Sequence, residues 1–297
     1  MTQNTQSTQD TQDTRSAQDT RSTRSAQGMT VVVTGASGRT GSRVAEAARA
    51  AGLTVRAASR AHGFDWSDRS TWADTLRGAD AAYLVHPTDV GSPQATREVG
   101  ELAREAAGLG VRRLVLLSAR GEDQALPTEA AVGEAGTDWT VVRAAWFMQN
   151  FSEGPLAEEL RESGRLVFPA GEVREPFVDV RDVADVVVAA LTGGDRYAGE
   201  TIEVSGPRLL SFGEAVAEAG RAAGRQLEYR AVPGAEYGEV LTASGLPAEE
   251  TGFLVELFGT LLDGRNARLS DGVTQVLGRA PRDFADYARE TAAVWRR

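Results

Sequence analysis

From residue 30 onward, short apolar runs alternate with stretches in which apolar positions recur at helical spacing. Thr30 to Thr34, Thr54 to Ser59, Ala81 to Val85, Arg113 to Ser118 and Thr140 to Arg143 read as strands. Between them, Arg39 to Ala51, Ser70 to Leu76, Pro93 to Gly108 and Pro127 to Ala135 read as helices. The strands are continuously apolar rather than alternating, so both faces are expected to be covered. That pattern predicts an α/β chain built on a doubly wound parallel sheet. From about Phe147 the rhythm changes to helices with a few short strand candidates, Leu166 to Phe168, Phe177 to Val178 and Thr201 to Val204. The expected organisation is a sheet domain over residues 29–150 and a smaller, mostly helical substrate lobe over 151–297. A segment of about 176–205 is expected to return to the first domain, with Val180 to Leu191 packed on the sheet. Apolar faces at Pro247 to Leu262 and Pro281 to Trp295 are expected to pack that lobe or a partner subunit. Residues 1–28 repeat Thr, Gln, Ser, Asp and Arg and read as a disordered tail, with Met29 placed as a natural start.

The first strand runs into "VVVTGASGRTGSRV", with glycines at Gly35, Gly38 and Gly41. A strand, a glycine-rich turn and a helix in that order form the Rossmann fingerprint, in which missing Cβ atoms let a pyrophosphate reach the helix N-terminus. Ser37 and Thr40 offer hydroxyl donors to the same phosphates. NAD-preferring sites place a carboxylate at the end of the second strand to hold the ribose 2′-hydroxyl. This chain has Ala58, Ser59 and Arg60 there, which points to NADP(H), with Arg60 gripping the 2′-phosphate and Arg39 as a second cation.

Composition narrows the chemistry. A chain of 297 residues with 41% hydrophobic residues can bury a full core. It has no cysteine, which excludes disulfides and thiol nucleophiles and places the expected home in the cytoplasm. All 32 basic residues are arginine, so no lysine is present for Schiff-base or proton-relay chemistry. A net charge of -10 with scattered arginines argues against a nucleic-acid partner, and no apolar run is long enough to cross a membrane. The expected partner is a small-molecule substrate; the oligomeric state is not specified by the pattern.

Short-chain dehydrogenases commonly use a Tyr-x-x-x-Lys pair after the strand that here ends near Ser118. "LLSARGEDQALPTEAAVGEAGTDWTVVRAAWFMQNF" contains no tyrosine, so no catalytic residue is assigned. The glycine loop, "LLSA", "WTVVRAAWFMQNF", "PFVDVRDVADV" and "LGRAPRDFADYA" resemble the NmrA-like, atypical short-chain dehydrogenases. Within that family, "ASRAHGFDWSDRSTW", "YLVHP" and "GPRLLS" resemble the branch of festuclavine and agroclavine dehydrogenases of ergot alkaloid synthesis, with bacterial relatives. The resemblance implies an NADPH-dependent reductase of an iminium carbon, without flavin, in small-molecule or secondary metabolism. An iminium carbon is already cationic, so hydride completes its reduction with no acid. Relatives usually follow the arginine of "VVR" with proline; this chain has Ala144. An activated alkene or a quinone is the alternative acceptor, and a non-catalytic NADP(H)-binding redox sensor the alternative class.

Trp146, Phe147, Asn150 and Phe151 follow the strand ending at Arg143, at the sheet edge where ligands bind, and read either as an aromatic substrate wall or as core. Asn150 is the preferred polar contact. His86 is expected to face the cofactor cleft or to sit in a turn before Pro87, Asp65 to border the adenine with Trp66, and Ser118 and Arg120 to lie near the nicotinamide ribose. Asp179 and Asp182 read as helix caps, and His62 and His86 are too far apart in sequence to suggest a metal site.

Overall fold

The computed structural model describes residues 28–296. The expectation for the N-terminal tail therefore falls, apart from Gly28, outside the described residues.

Five strands and the helices between them follow the apolar runs closely. They are β1 (Thr30–Thr34), α1 (Arg39–Ala50), β2 (Thr54–Ala58), α2 (Trp72–Leu76), β3 (Ala81–Leu84), α3 (Pro93–Gly108), β4 (Arg113–Ala119), α4 (Leu126–Gly133) and β5 (Asp138–Ala144). The chain then passes through α5 (Pro155–Ser163), β6 (Arg165–Phe168) and β7 (Arg174–Glu175) before α6 (Val180–Thr192) and β8 (Glu200–Val204). The sheet has six parallel strands in the order β2-β1-β3-β4-β5-β8, so its last strand comes from the second half of the sequence.

Both faces of the sheet are buried, as continuous apolar strands require. On one face, Val44, Ala45 and Ala48 of α1 and Val183, Val186 and Val187 of α6 enclose Val31, Val33, Tyr83, Val115 and Val142. On the other, Trp72 and Leu76 of α2, Val99 and Leu102 of α3 and Val132 of α4 enclose Val32, Leu84, Leu114 and Val141. A third core lies in the remaining lobe, built by β9 (Leu210–Ser211), α7 (Phe212–Ala223), β10 (Glu228–Ala231), α8 (Gly234–Ala243) and α9 (Ala248–Leu261); α10 (Gly272–Leu277) instead packs Val273 into the sheet core beside α6, and α11 (Phe284–Thr291) completes the third core. There β6 pairs with β10 and β7 with β9.

Two expectations change. Phe177 to Val178 forms only a single bridge from Val178 to Phe147, because Pro176 has no N–H to extend a ladder. Asp182 is more than a helix-start residue: it is fully buried, accepts from the Arg282 amide at 2.7 Å and pairs with the Arg279 and Arg282 guanidiniums. It thereby fastens the last segment of the chain to α6. Asp179 is a cap, accepting from the Arg181 amide at 2.8 Å.

The chain leaves β1 for β2 on one side and then crosses to β3 on the other. This reversal places a crevice outside the carboxyl ends of β1 and β3, the point where open α/β sheets take ligands. Among the described residues, no helix is long and apolar enough to cross a membrane.

Candidate active site at the carboxyl edge of the sheet

The Thr34 hydroxyl at the end of β1 donates to the Tyr83 and Val85 carbonyls at 3.1 and 3.2 Å and accepts from the Val85 amide at 2.8 Å. This locks the loop that follows to the end of β3. Gly35 then turns with φ +59°, and a Cβ there would stand 2.7 Å from Val85 Cγ1. The Gly38 amide donates to the Gly35 carbonyl at 2.8 Å, and Gly38 begins α1. A Cβ at Gly41 would stand 2.2 Å from the Gly35 carbonyl oxygen, so helix and loop approach as only glycine permits.

Among the described residues no side chain caps α1, and no acid lies in its first turn. The helices α2, α4, α5, α8, α9 and α10 also lack a side-chain cap, but α1 differs from them in starting at the glycine loop, where missing Cβ atoms leave its end open to close approach. The first-turn amides of α1 and the positive end of its dipole are thus left for a ligand, and the residues fit a dinucleotide pyrophosphate. Ser37 and Gly38 are exposed at this loop, whereas Thr40 is buried behind it.

At the end of β2, the Ser59 hydroxyl pairs with His62 Nδ1 at 2.8 Å, and Arg60 is exposed on the short turn Arg60–His62. Arg39 does not join it. Its guanidinium donates to the Asn150 side chain and to the Glu153 carbonyl at 3.1 Å, and Nε lies 3.4 Å from the Glu153 carboxylate. Arg43 pairs with the same carboxylate. Arg39 is therefore a brace between the glycine loop and the segment after β5, and Asn150 is its partner.

Other expected contacts are claimed by the protein. Asp65 accepts from the Ser67 amide and hydroxyl at 2.9 and 2.8 Å, bonds that hold its carboxyl below the usual range, with Arg60 adding to the effect. The His86 side chain is fully buried: Nε2 lies 2.9 Å from Glu98, Nδ1 lies 2.8 Å from the Thr88 hydroxyl, and Trp66 packs against the ring at 4.8 Å. Both ring nitrogens are used, which corrects the expectation of a polar contact from His86 to a ligand. Ser118 donates to Glu129 at 2.6 Å, and Arg143 Nε binds the same carboxylate at 2.9 Å, so the Ser118 hydroxyl is likewise turned inward.

The aromatic stretch divides. Phe151 is fully buried, with Phe177, Phe212 and Phe284 at 5.1, 5.6 and 5.3 Å, and is core rather than substrate wall. Phe147 is half-buried and packs on the core shared by α1 and α6. Trp146 is half-buried at the lobe junction, against Phe168, Phe212 and Phe258. Arg120 follows β4 at this junction, with Glu175 of β7 within electrostatic reach. Glu175 had no signal in the sequence: "GEVREPFV" gives nothing to show that its carboxylate is buried.

The NmrA-like family model matches residues 123–287. The chain is 32% identical over 277 residues to the uncharacterized oxidoreductase YesF of Bacillus subtilis, covering 89% of this chain and 96% of that one. It is 28% identical over 291 residues to agroclavine dehydrogenase of Claviceps fusiformis, covering 90% and 98%. The fold matches that of the NADPH-dependent quinone oxidoreductase QOR2 of Escherichia coli, complexed with NADPH, with a TM-score of 0.72 and 20% identity over 88% of this chain and 99% of that one. Likeness to an ergot-alkaloid enzyme is thus present, but the bacterial oxidoreductase is more similar, so the family rather than the branch is what the likeness carries. The chain belongs to the NmrA-like family, and its homologues include NAD(P)H-dependent oxidoreductases.

Proposed function

We propose that this NmrA-like enzyme binds NADPH along the carboxyl edge of its sheet and reduces an electron-poor C=N or C=C bond of a small molecule. The observation that carries this reading is the uncapped N-terminus of α1, set behind Gly35 and Gly38 and held against the loop through Gly41. Those amides would take the pyrophosphate, and Arg60, exposed at the end of β2, would take the 2′-phosphate. When bound, the reduced nicotinamide supplies a hydride.

The protein's own contribution is placement. Arg39, tied to Asn150 and Glu153, fixes the loop relative to the chain beyond β5. Trp146 and Phe258 present apolar surface at the lobe junction, which excludes water from a flat acceptor. Holding the acceptor over a hydride donor converts a bimolecular encounter into a unimolecular one, the largest effect available to a site without a Tyr–Lys pair. The full-length likeness to agroclavine dehydrogenase supports a C=N acceptor, and the acidic chain favours a cationic one.

Calorimetry with NADPH and NADH, followed by NADPH oxidation assays with a cyclic iminium, an enone and a quinone, tests the reading. NADPH is expected to bind more tightly than NADH, and the iminium or enone to be consumed. Absence of binding heat from correctly folded protein overturns it. Binding without oxidation by any acceptor favours the sensor class instead.

A further inference from the structure

The ends of β4 and β5 carry buried polar groups that the fold leaves without hydrogen bonds. Arg120 continues the β4 register, its amide donating to the Ala144 carbonyl at 3.0 Å. Its side chain is buried and its charge is paired with Glu203 of β8 at 3.2 Å from Nε, yet among the described residues none of its three guanidinium nitrogens makes a hydrogen bond. Glu175 is 1% exposed, and its Oε1 is also without a donor. Trp146, two residues beyond β5, keeps a buried and unpaired Nε1. Such atoms are nearly always satisfied in folded proteins, so Arg120 and Glu175, which face each other from separate segments, mark a place where another molecule supplies the partners. Glu122, on the same loop as Arg120, faces Asp89 and Gly91 instead.

The charged surroundings are mixed. Glu175 faces Arg120 from the loop after β4 and Asp263 from the segment after α9; Arg120 in turn faces Glu203 and Arg268. Burial pushes the Glu175 carboxyl up to about 7, with Arg120 opposing the rise and Asp263 adding to it. Near neutrality a substantial fraction of this group therefore still holds a proton.

We propose that Arg120 and Glu175 meet the substrate: Arg120 receives a carbonyl oxygen conjugated to the reducible C=C, and Glu175 delivers the proton that completes the reduction. The proposal rests on the reductase reading above and narrows its acceptor to an α,β-unsaturated carbonyl compound. A reduced nicotinamide is the co-reactant, and its hydride forms the new C–H bond at the β-carbon. The alkene pair shifts to give an enolate, whose negative oxygen lies against the guanidinium. The O–H bond of Glu175 then breaks as the α-carbon takes the proton, and solvent restores the acid. The missing Tyr–Lys pair is replaced by an acid from the lobe and a cation from the sheet.

Steady-state turnover of a cyclic enone and a cyclic iminium at saturating NADPH, from pH 5 to 9, tests the proposal. Enone turnover by the parent protein is expected to fall as pH rises through about 7, the value at which Glu175 loses its proton. Glu175→Gln is expected to lower enone turnover about 100-fold, to remove that pH limb, and to depress the enone reaction at least tenfold more than the iminium reaction. A second readout needs no turnover: 4-nitrophenol, whose phenolate mimics the enolate oxygen, is titrated into the NADP⁺-loaded protein. Arg120→Met is expected to weaken its binding at least tenfold. Equal losses with both acceptors, a parent enone profile flat through pH 7, or unchanged 4-nitrophenol binding in Arg120→Met would each overturn the proposal. If the parent neither binds nor oxidises NADPH, the reductase reading itself fails; if it reduces the iminium and the variants behave as the parent, only the roles of Arg120 and Glu175 fail.

Discussion

The two glycines at the start of α1 separate packing from ligand approach. A Cβ at position 41 would lie 2.2 Å from the Gly35 oxygen, 2.5 Å from its carbonyl carbon and 2.8 Å from the Thr34 oxygen. All three are backbone atoms of a strand and its locked turn, so no side chain can rotate away. The helix must retreat by about 1 Å to restore an ordinary contact. Because α1 buries Val44, Ala45 and Ala48 between β1 and α6, that retreat opens a filled seam. Overpacking of this kind costs about 1–3 kcal/mol, against a helix-propensity gain from Gly to Ala of about 1 kcal/mol. The clash outweighs that gain, and Gly41→Ala is expected to lower Tm by several degrees at about 2–4 °C per kcal/mol. At position 38, by contrast, a Cβ meets only the Gly35 oxygen, at 3.2 Å, and φ of -88° suits any residue. Gly38→Ala is expected to change stability by less than about 0.5 kcal/mol. Its methyl group nevertheless stands where the pyrophosphate must approach, and NADPH affinity is expected to fall at least about tenfold, or 1.4 kcal/mol. Thermal unfolding followed by circular dichroism and titration calorimetry read the two effects separately. A Gly38→Ala protein that unfolds early yet binds NADPH like the parent, or a Gly41→Ala protein unchanged in both measurements, would refute the reasoning.

Three further outcomes are expected. Arg60→Glu should weaken NADPH by roughly 10–100-fold, the worth of a charge-assisted bond of about 1.5–3 kcal/mol, and leave NADH binding unaffected in the same titration. Phe151→Ala should cost about 3–5 kcal/mol in urea unfolding, because its fully buried ring touches three other rings, with KM little changed in the folded fraction. Hydrogen bonds from Arg208 hold the Asp283 carboxyl below its ordinary value, with burial opposing. The stabilisation from that pair is therefore present above the unfolded carboxylate range, about pH 4, and is lost as pH falls through the lower folded value. Asp283→Asn should reduce the difference between stabilities measured at pH 7 and pH 3, and an unchanged difference would count against the pairing.

The strands β1, β3, β4 and β5 were legible because each is a largely buried apolar run bounded by turn residues, whereas β2, at the sheet edge, is exposed or half-buried except at Ala58. The glycine loop was legible for a related reason: Gly35 needs a left-handed turn, and Gly41 cannot carry a side chain. What remained hidden was the choice among partners. His86 stands at the expected edge, but Glu98 on α3 captures it, and no local pattern announces that pairing. Ser118 is taken by Glu129 in the same way. Phe151 and Trp146 look alike in "WFMQNF", yet one points into the lobe core and the other to the junction, a difference set by segments far along the chain. Glu175 sits on a two-residue strand paired with Leu210 and Ser211, and it is buried by segments distant in the sequence, Arg120 and Asp263 among its neighbours.

The origin of β8 has a practical consequence for exchanging parts between relatives. Beyond β5 the chain makes an excursion from Ala144 to Val180, comes back to supply α6 and the sixth strand, and departs again after Val204. A fragment cut just past Ala144 would lack both, leaving the outer side of β5 open to stray pairing and Val115 and Val142 of β4 and β5 uncovered on the face that α6 packs against. The complementary fragment would carry a strand with no sheet to join. Transplanting acceptor preference from one family member to another thus calls for two separate insertions grafted around a retained α6 and β8, rather than for swapping everything downstream of a single junction.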